Sequence, residues 1–149
     1  MSLKDWADSG WLRTHQSSRQ EIKDLLSIVE RDLRDSSEGG ISADWRFGIA
    51  YNAALKLCTI LLHASGYRPE KTLQHYRTIQ ALPLILGESR REDTDYLDKC
   101  RIKRNTVEYD MAGAATDADA AELHDFAKEL RADVMDWLKR NHTDLVPET

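Results

Sequence analysis

The stretch AYNAALKLCTILL, residues 50–62, is apolar nearly all the way round a helix. A surface helix keeps its apolar residues on one stripe, whereas a helix that is apolar on most sides is one that others surround. The pattern predicts a helix that begins after Ser42, runs towards a stop at Gly66 and lies at the centre of the fold. The remaining segments must be arranged around it.

Four further helical stretches can be read, with no competing strand pattern. Upstream, an opening arm (residues 1–16) carries Trp6 and Trp11, and Ser18 with Glu21 has the spacing of a capping box. Ile22, Leu25, Leu26, Val29 and Leu33 then share one face until SSEGG (36–40) ends the helix. Downstream, Pro69 restarts the chain for a helix through Leu73, Tyr76, Ile79, Leu82 and Leu86, which Pro83 should kink or split and Gly87 should close. Ser89 and Glu92 make a second capping-box pattern, opening the helix that contains KCRIKRNTVEYDMAG (99–113). Thr116 and Asp119 cap the last helix, whose inner face is Leu123, Phe126, Ala127, Leu130, Val134, Trp137 and Leu138. NHTDLVPET (141–149) is a polar tail expected to fray. Short connections between long amphipathic helices predict an all-α fold, a single up-down antiparallel bundle of about five helices over residues 1–149.

A chain of 149 residues with 41% hydrophobic and 32% charged residues can bury a real core. Its net charge of −5 argues against a surface coated in basic residues for duplex DNA, but leaves room for a small basic pocket. No uninterrupted apolar run approaches the roughly 20 residues of a membrane span, and no signal-peptide pattern opens the chain, so a cytoplasmic location without a membrane is expected. Cys58 and Cys100 lie on apolar helical faces, as buried free thiols do.

The five histidines are His15, His63, His75, His124 and His142. No two stand at the i, i+4 spacing of a helical metal clip and no Glu-x-x-His pair occurs, so they read as surface or helix-end residues, with no metal and no cofactor expected. Gly-rich phosphate loops, nucleophile elbows and CxxC pairs are absent as well. Attention falls on the fourth long helix. Leu97, Cys100, Arg104, Val107 and Met111 alternate at three and four residues, the seam of a packed helix, yet one of the five is an arginine. Lys99, Arg101, Lys103 and Arg104 crowd positive charge into less than two turns. A buried guanidinium must find a carboxylate, a carbonyl or an anionic ligand. Two readings stay open: a structural pair with Glu108 at i+4, or an anion site in which Arg104 works with its neighbours Asn105 and Tyr109.

Three segments in order carry a family resemblance: YNAALKLCTILLHASGYRP (51–69), KTLQHYRTIQALPLILG (71–87), with a histidine near its start, and RNTVEYD (104–110). Together they resemble the HEPN family, the higher-eukaryote and prokaryote nucleotide-binding helical domains. RNTVEYD is similar to that family's Arg-polar-x-x-x-His signature, with Asn105 in the polar place and Tyr109 where histidine is expected. The resemblance implies a homodimer in which the Arg motifs of both subunits meet in a cleft. In active members that cleft is a metal-independent endoribonuclease, often paired with a nucleotidyltransferase antitoxin. It further implies that Arg104 steadies a phosphate and Asn105 positions the backbone. Tyr109 occupies the place of the residue that moves protons during attack by the ribose 2′-hydroxyl. A phenol with an ordinary pKa near 10 is a poor base at neutral pH, so proton transfer would fall to a perturbed Tyr109 or to a residue elsewhere such as His75.

The resulting expectation is an RNA- or nucleotide-binding domain of a prokaryotic toxin–antitoxin or defence system, a degenerate endoribonuclease. Arg101, Arg104, Asn105 and Tyr109 would bind, and the last three would form the catalytic set. The alternative is a non-catalytic helical protein-interaction module in which Arg104 and Glu108 form a structural pair.

Overall fold

The computed structural model describes residues 1–109 and 112–148, without the side chains of 107–109. Its elements in order are α1 (Leu3–Asp8), β1 (Leu12–Thr14), α2 (Arg19–Asp35), α3 (Ala43–Ala64), β2 (Tyr67–Pro69), α4 (Gln74–Gln80), α5 (Leu82–Leu86), α6 (Arg91–Tyr109) and α7 (Asp117–Asn141). The fold is an all-α helical bundle, as the periodicity predicts.

α3 is the central element. Ser42 caps its start by accepting from the Trp45 amide, and Gly66, at φ +96°, turns the chain beyond its end. Twelve of its 22 residues are buried, and α2, α4, α6 and α7 all pack on it. Phe47, Leu57, Ile60, Leu61 and Leu62 are within 2% of full burial, each contributing about 1.5–3 kcal/mol of apolar transfer. By length and composition α3 would suffice to cross a bilayer, but 67% of its most apolar window is buried inside the protein. Leu97 and Cys100 of α6 and Leu123, Ala127, Leu130, Val134 and Leu138 of α7 complete the same core. Both cysteines are free and buried, and burial pushes the Cys58 thiol up to about 12.

Several local expectations need correction. β1 and β2 pair antiparallel, with Leu12 opposite Pro69 and Thr14 opposite Tyr67. Strands of three residues are too short for alternation to declare itself. Because Pro69 belongs to this ribbon, and Leu73 sits in the left-handed region at φ +56°, α4 begins only at Gln74. The helix is split before Pro83, which lies in the first turn of α5 where a missing amide proton is harmless. Ser89 falls inside a 3-10 turn (Glu88–Arg90), so α6 opens at Arg91 and the second capping-box pattern is not used as a cap.

The first box forms by half. Ser18 Oγ accepts from the Glu21 amide at 3.1 Å, but the Glu21 carboxylate is drawn to His15 and His63. The N-terminal arm docks on the bundle, and the described part of the tail, expected to fray, docks as well. Trp6 is buried against Leu12, Leu62 and Ala81, with Trp11 edge-on at 5.7 Å and the Arg77 guanidinium 4.0 Å from the Trp11 ring. In the tail Leu145 is buried, and Arg19 donates to the Asp144 carbonyl at 3.1 Å.

At the start of α7 the capping box is complete. Thr116 Oγ1 accepts from the Asp119 amide at 3.0 Å, and Asp119 accepts from the Thr116 amide and from Lys103 Nζ, each at 2.9 Å. Those partners, the Thr116 amide foremost, hold the Asp119 carboxyl at about 2. Thr116→Ala should lower the unfolding free energy by about 1 kcal/mol in a urea titration. A carboxyl depressed below its ordinary 3.8 stabilises the fold above that pH and loses the contribution as pH falls towards 2. Asp119→Ala should therefore cost stability at pH 6 and close to none near pH 2.

Candidate functional site

From Ile49 onward, the residues of α3 that escape full burial fall on one stripe, which Trp45 extends towards the start of the helix. Trp45, Ile49, Asn52, Lys56, Thr59 and His63 follow one another at spacings of four, three, four, three and four, the period of a single helical face. Two cavities lie along this stripe. The larger, about 850 Å³, is lined by Trp45, Ile49 and Asn52 of α3, Arg31 and Asp32 of α2, and Arg104 of α6. The smaller, about 370 Å³, is lined by Lys56, Thr59 and His63 of α3, Arg68 of β2, Lys71, and Gln74, His75 and Thr78 of α4.

In the larger cavity the wall is polar and ordered while the mouth is apolar. Asp32 is buried, accepting from Asn52 Nδ2 at 2.6 Å and from Arg31 Nε at 3.0 Å. Such partners keep a buried carboxylate from carrying the full desolvation penalty. Trp45 at the rim is 64% exposed. Asp44 closes one side by accepting from the Gly113 and Ala115 amides at 2.6 and 3.1 Å, bonds that hold its carboxyl below the ordinary value.

Arg104 enters from α6. One and two turns back, Cys100 and Leu97 are buried against α3, so the seam is real to that point. Arg104 itself is half-buried, its guanidinium 5.4 Å from the centre of the Tyr51 ring. Tyr51 is 1% exposed, and its hydroxyl has no hydrogen-bond partner among the described residues. Burial pushes that phenol up, against the opposing charges of Arg104 and Arg101.

Arg101 lies one turn before Arg104, bonded to Asp98 at 2.8 Å and with its guanidinium 5.5 Å from the Tyr76 ring. His75 is the second residue of α4 and lines the smaller cavity with Lys56. Partial burial and the charges of Arg104, Lys56 and Arg101 hold its imidazole below 6.5. A shift in that direction favours the neutral imidazole, the form that accepts a proton. Among the described residues no carboxylate lines the smaller cavity. Lys56, Arg68 and Lys71 gather positive charge around the smaller cavity in a chain of net charge −5.

Of the residues singled out by sequence, Arg104 and Arg101 are brought together. Asn105 is exposed on a different face and lines neither cavity. Tyr109 ends α6, but its side chain, and that of Glu108, lie outside the described residues, as do those of Val107 and Met111 in the seam. Lys103 pairs with Asp119 instead of joining the cations on His75. Sequence reasoning missed Asn52, Asp32, Lys56 and Arg68. The 52, 56, 59, 63 run of polar residues on an otherwise apolar helix was the available signal for the first and third. Compared with protein-family models, with curated proteins and with solved structures, the chain matches none.

Proposed function

We propose that this chain binds the phosphodiester backbone of single-stranded RNA, or a nucleotide, along the exposed stripe of α3. In this reading it is a HEPN-like component of a prokaryotic toxin–antitoxin or defence system. The observation that carries it is the pair of cavities along one face of α3, the larger lined by Arg104 and the smaller by Lys56, Arg68, Lys71 and His75. Arginine offers a planar fork of donors that matches phosphate oxygens, and Tyr76 is an exposed ring on which a base can stack. The order of RN within α6, after the GYRP and QHYR segments, supports the same reading by resemblance.

His75 favours a second reading, in which the site also cuts. It supplies the proton acceptor that a phenol at position 109 does not. A neutral imidazole can take the proton from a ribose 2′-hydroxyl while Arg104 and Arg101 stabilise the charge that develops on phosphorus-bound oxygen. A homodimer fits the same face: Trp45 and Ile49 flank the large cavity, and a second copy would cover them. A nucleotidyltransferase antitoxin is the partner the family resemblance suggests.

Arg104→Ala should weaken single-stranded RNA binding at least tenfold in fluorescence anisotropy with the helical circular dichroism unchanged; unaltered affinity in that variant contradicts the proposal. Lys56→Ala should lower the slope of log affinity against log salt by roughly 0.7, the value for one lost phosphate contact on a single strand. If the site cleaves, the rate should rise with pH through a pKa below 6.5, because the base works only when deprotonated. His75→Ala should abolish cleavage and spare binding, whereas a rate that falls between about pH 5 and 7 rules His75 out as the base. Trp45→Glu should shift the protein from dimer to monomer in analytical ultracentrifugation.

A further inference from the structure

A second constellation lies at the other end of α3 and does not depend on the RNA reading. His15 follows β1, Glu21 is in the first turn of α2, and His63 is in the last turn of α3. The ligand atoms of the three side chains lie within 4.8 Å of one another. Glu21 Oε1 is shared, 2.8 Å from His15 Nε2 and 2.7 Å from His63 Nδ1. The two imidazole rings are tilted together with centroids 4.3 Å apart. We propose that His15, Glu21 and His63 bind a zinc-class divalent transition-metal ion, with a fourth position left for water or an anion.

The donor set is the first argument. Two imidazoles and one carboxylate are the borderline nitrogen and oxygen ligands that zinc and its neighbours take, and three protein ligands leave one position of a tetrahedron open. Zinc–ligand bonds near 2.0–2.1 Å place tetrahedral donors about 3.3 Å apart, so the two present contacts need to open by about half an ångström. On binding, each imidazole would carry its proton on the other ring nitrogen, His15 on Nδ1 and His63 on Nε2. No other group would have to be ionised.

The second argument is the way the cluster is held. The His15 amide donates to the Gly66 carbonyl at 2.8 Å, and Ser17 Oγ donates to the His63 carbonyl at 2.8 Å. These bonds pin the segment between β1 and α2 onto the end of α3. Glu21 stands at the position from which a capping-box glutamate would reach back to the Ser18 amide, yet its carboxylate turns to the histidines instead. All three side chains are between 18% and 27% exposed, shielded from bulk water but reachable from it. The opposing charge is Arg68, which is exposed on β2. His63 also lines the smaller cavity, together with Lys56, Arg68 and His75.

The test uses the full chain, stripped with a chelator and titrated with zinc chloride against a chromophoric zinc indicator. One ion per chain is expected. Bound cobalt(II) should show the intense visible absorption of a tetrahedral site, and excess zinc should raise the melting temperature by several degrees. His63→Asn and Glu21→Gln should each weaken zinc binding at least tenfold, while His124→Gln, far from the cluster in sequence and bonded to Ser36, should leave it unchanged. Absence of stoichiometric uptake by the wild-type chain overturns the proposal without reference to any variant. Full retention of uptake in a folded His63→Asn protein overturns it equally. The outcome is separate from RNA binding, which these measurements do not read.

Discussion

The structure depends on the burial of one helix. Twelve residues of α3 are removed from water, and no partial arrangement of the other segments would shield them all. α2 and α7 cover most of its surface, α6 closes a third side with Leu97 and Cys100, and α4 and α5 seal what is left near Leu62. The gain is distributed over many side chains at about 1.5–3 kcal/mol each, set against a comparable loss of chain entropy. The bundle therefore tolerates ends that merely dock, such as α1 on Leu62 and the tail on α2, but not a polar residue in the middle of α3.

What the wrapping helices leave uncovered is the surface along which binding is proposed. Beyond the first turns of α3, the face carrying Ile49, Asn52, Lys56, Thr59 and His63 looks out, and α2, α6 and α4 each bring charged or polar groups to the cavities along it. α2 contributes the buried Asp32, already held by Asn52 and Arg31, so it does not cancel the cations further along. α6 contributes Arg101 and Arg104, and α4 contributes His75. Two like charges 4 Å apart repel by about 1 kcal/mol in bulk water and by about 4 kcal/mol at the effective dielectric of a protein surface. Burial first, and the charges of Arg104, Lys56 and Arg101 after it, hold the His75 imidazole below its ordinary value.

Much of this was legible in the residues themselves. The apolar run at 50–62 placed α3 at the centre, Ser42 and Gly66 marked its ends, and Thr116 with Asp119 formed the capping box their spacing suggests. Arg104 interrupts a seam whose first members are buried as expected. Other features were set by contacts distant in sequence. Local spacing could not show that Glu21 would turn from its cap to two histidines, one of them 42 residues away, nor that Pro69 would pair with Leu12 in place of starting a helix. The stripe on α3 was present at helical spacing but was masked by the apolar residues around it. His15 and His63 are 48 positions apart, so a search for helical metal clips passes over them although folding sets their rings side by side.

The central claim is that cations gathered around His75 are there to hold a phosphate. Its most direct test is an NMR titration of the His75 imidazole with and without a saturating ribonucleotide 3′-phosphate. In the free protein the pKa should lie below 6.5, and bound phosphate should raise it by offsetting Arg104, Arg101 and Lys56. A His75 that titrates at the same pH in both states, with the nucleotide at concentrations that saturate an RNA site, would contradict the account.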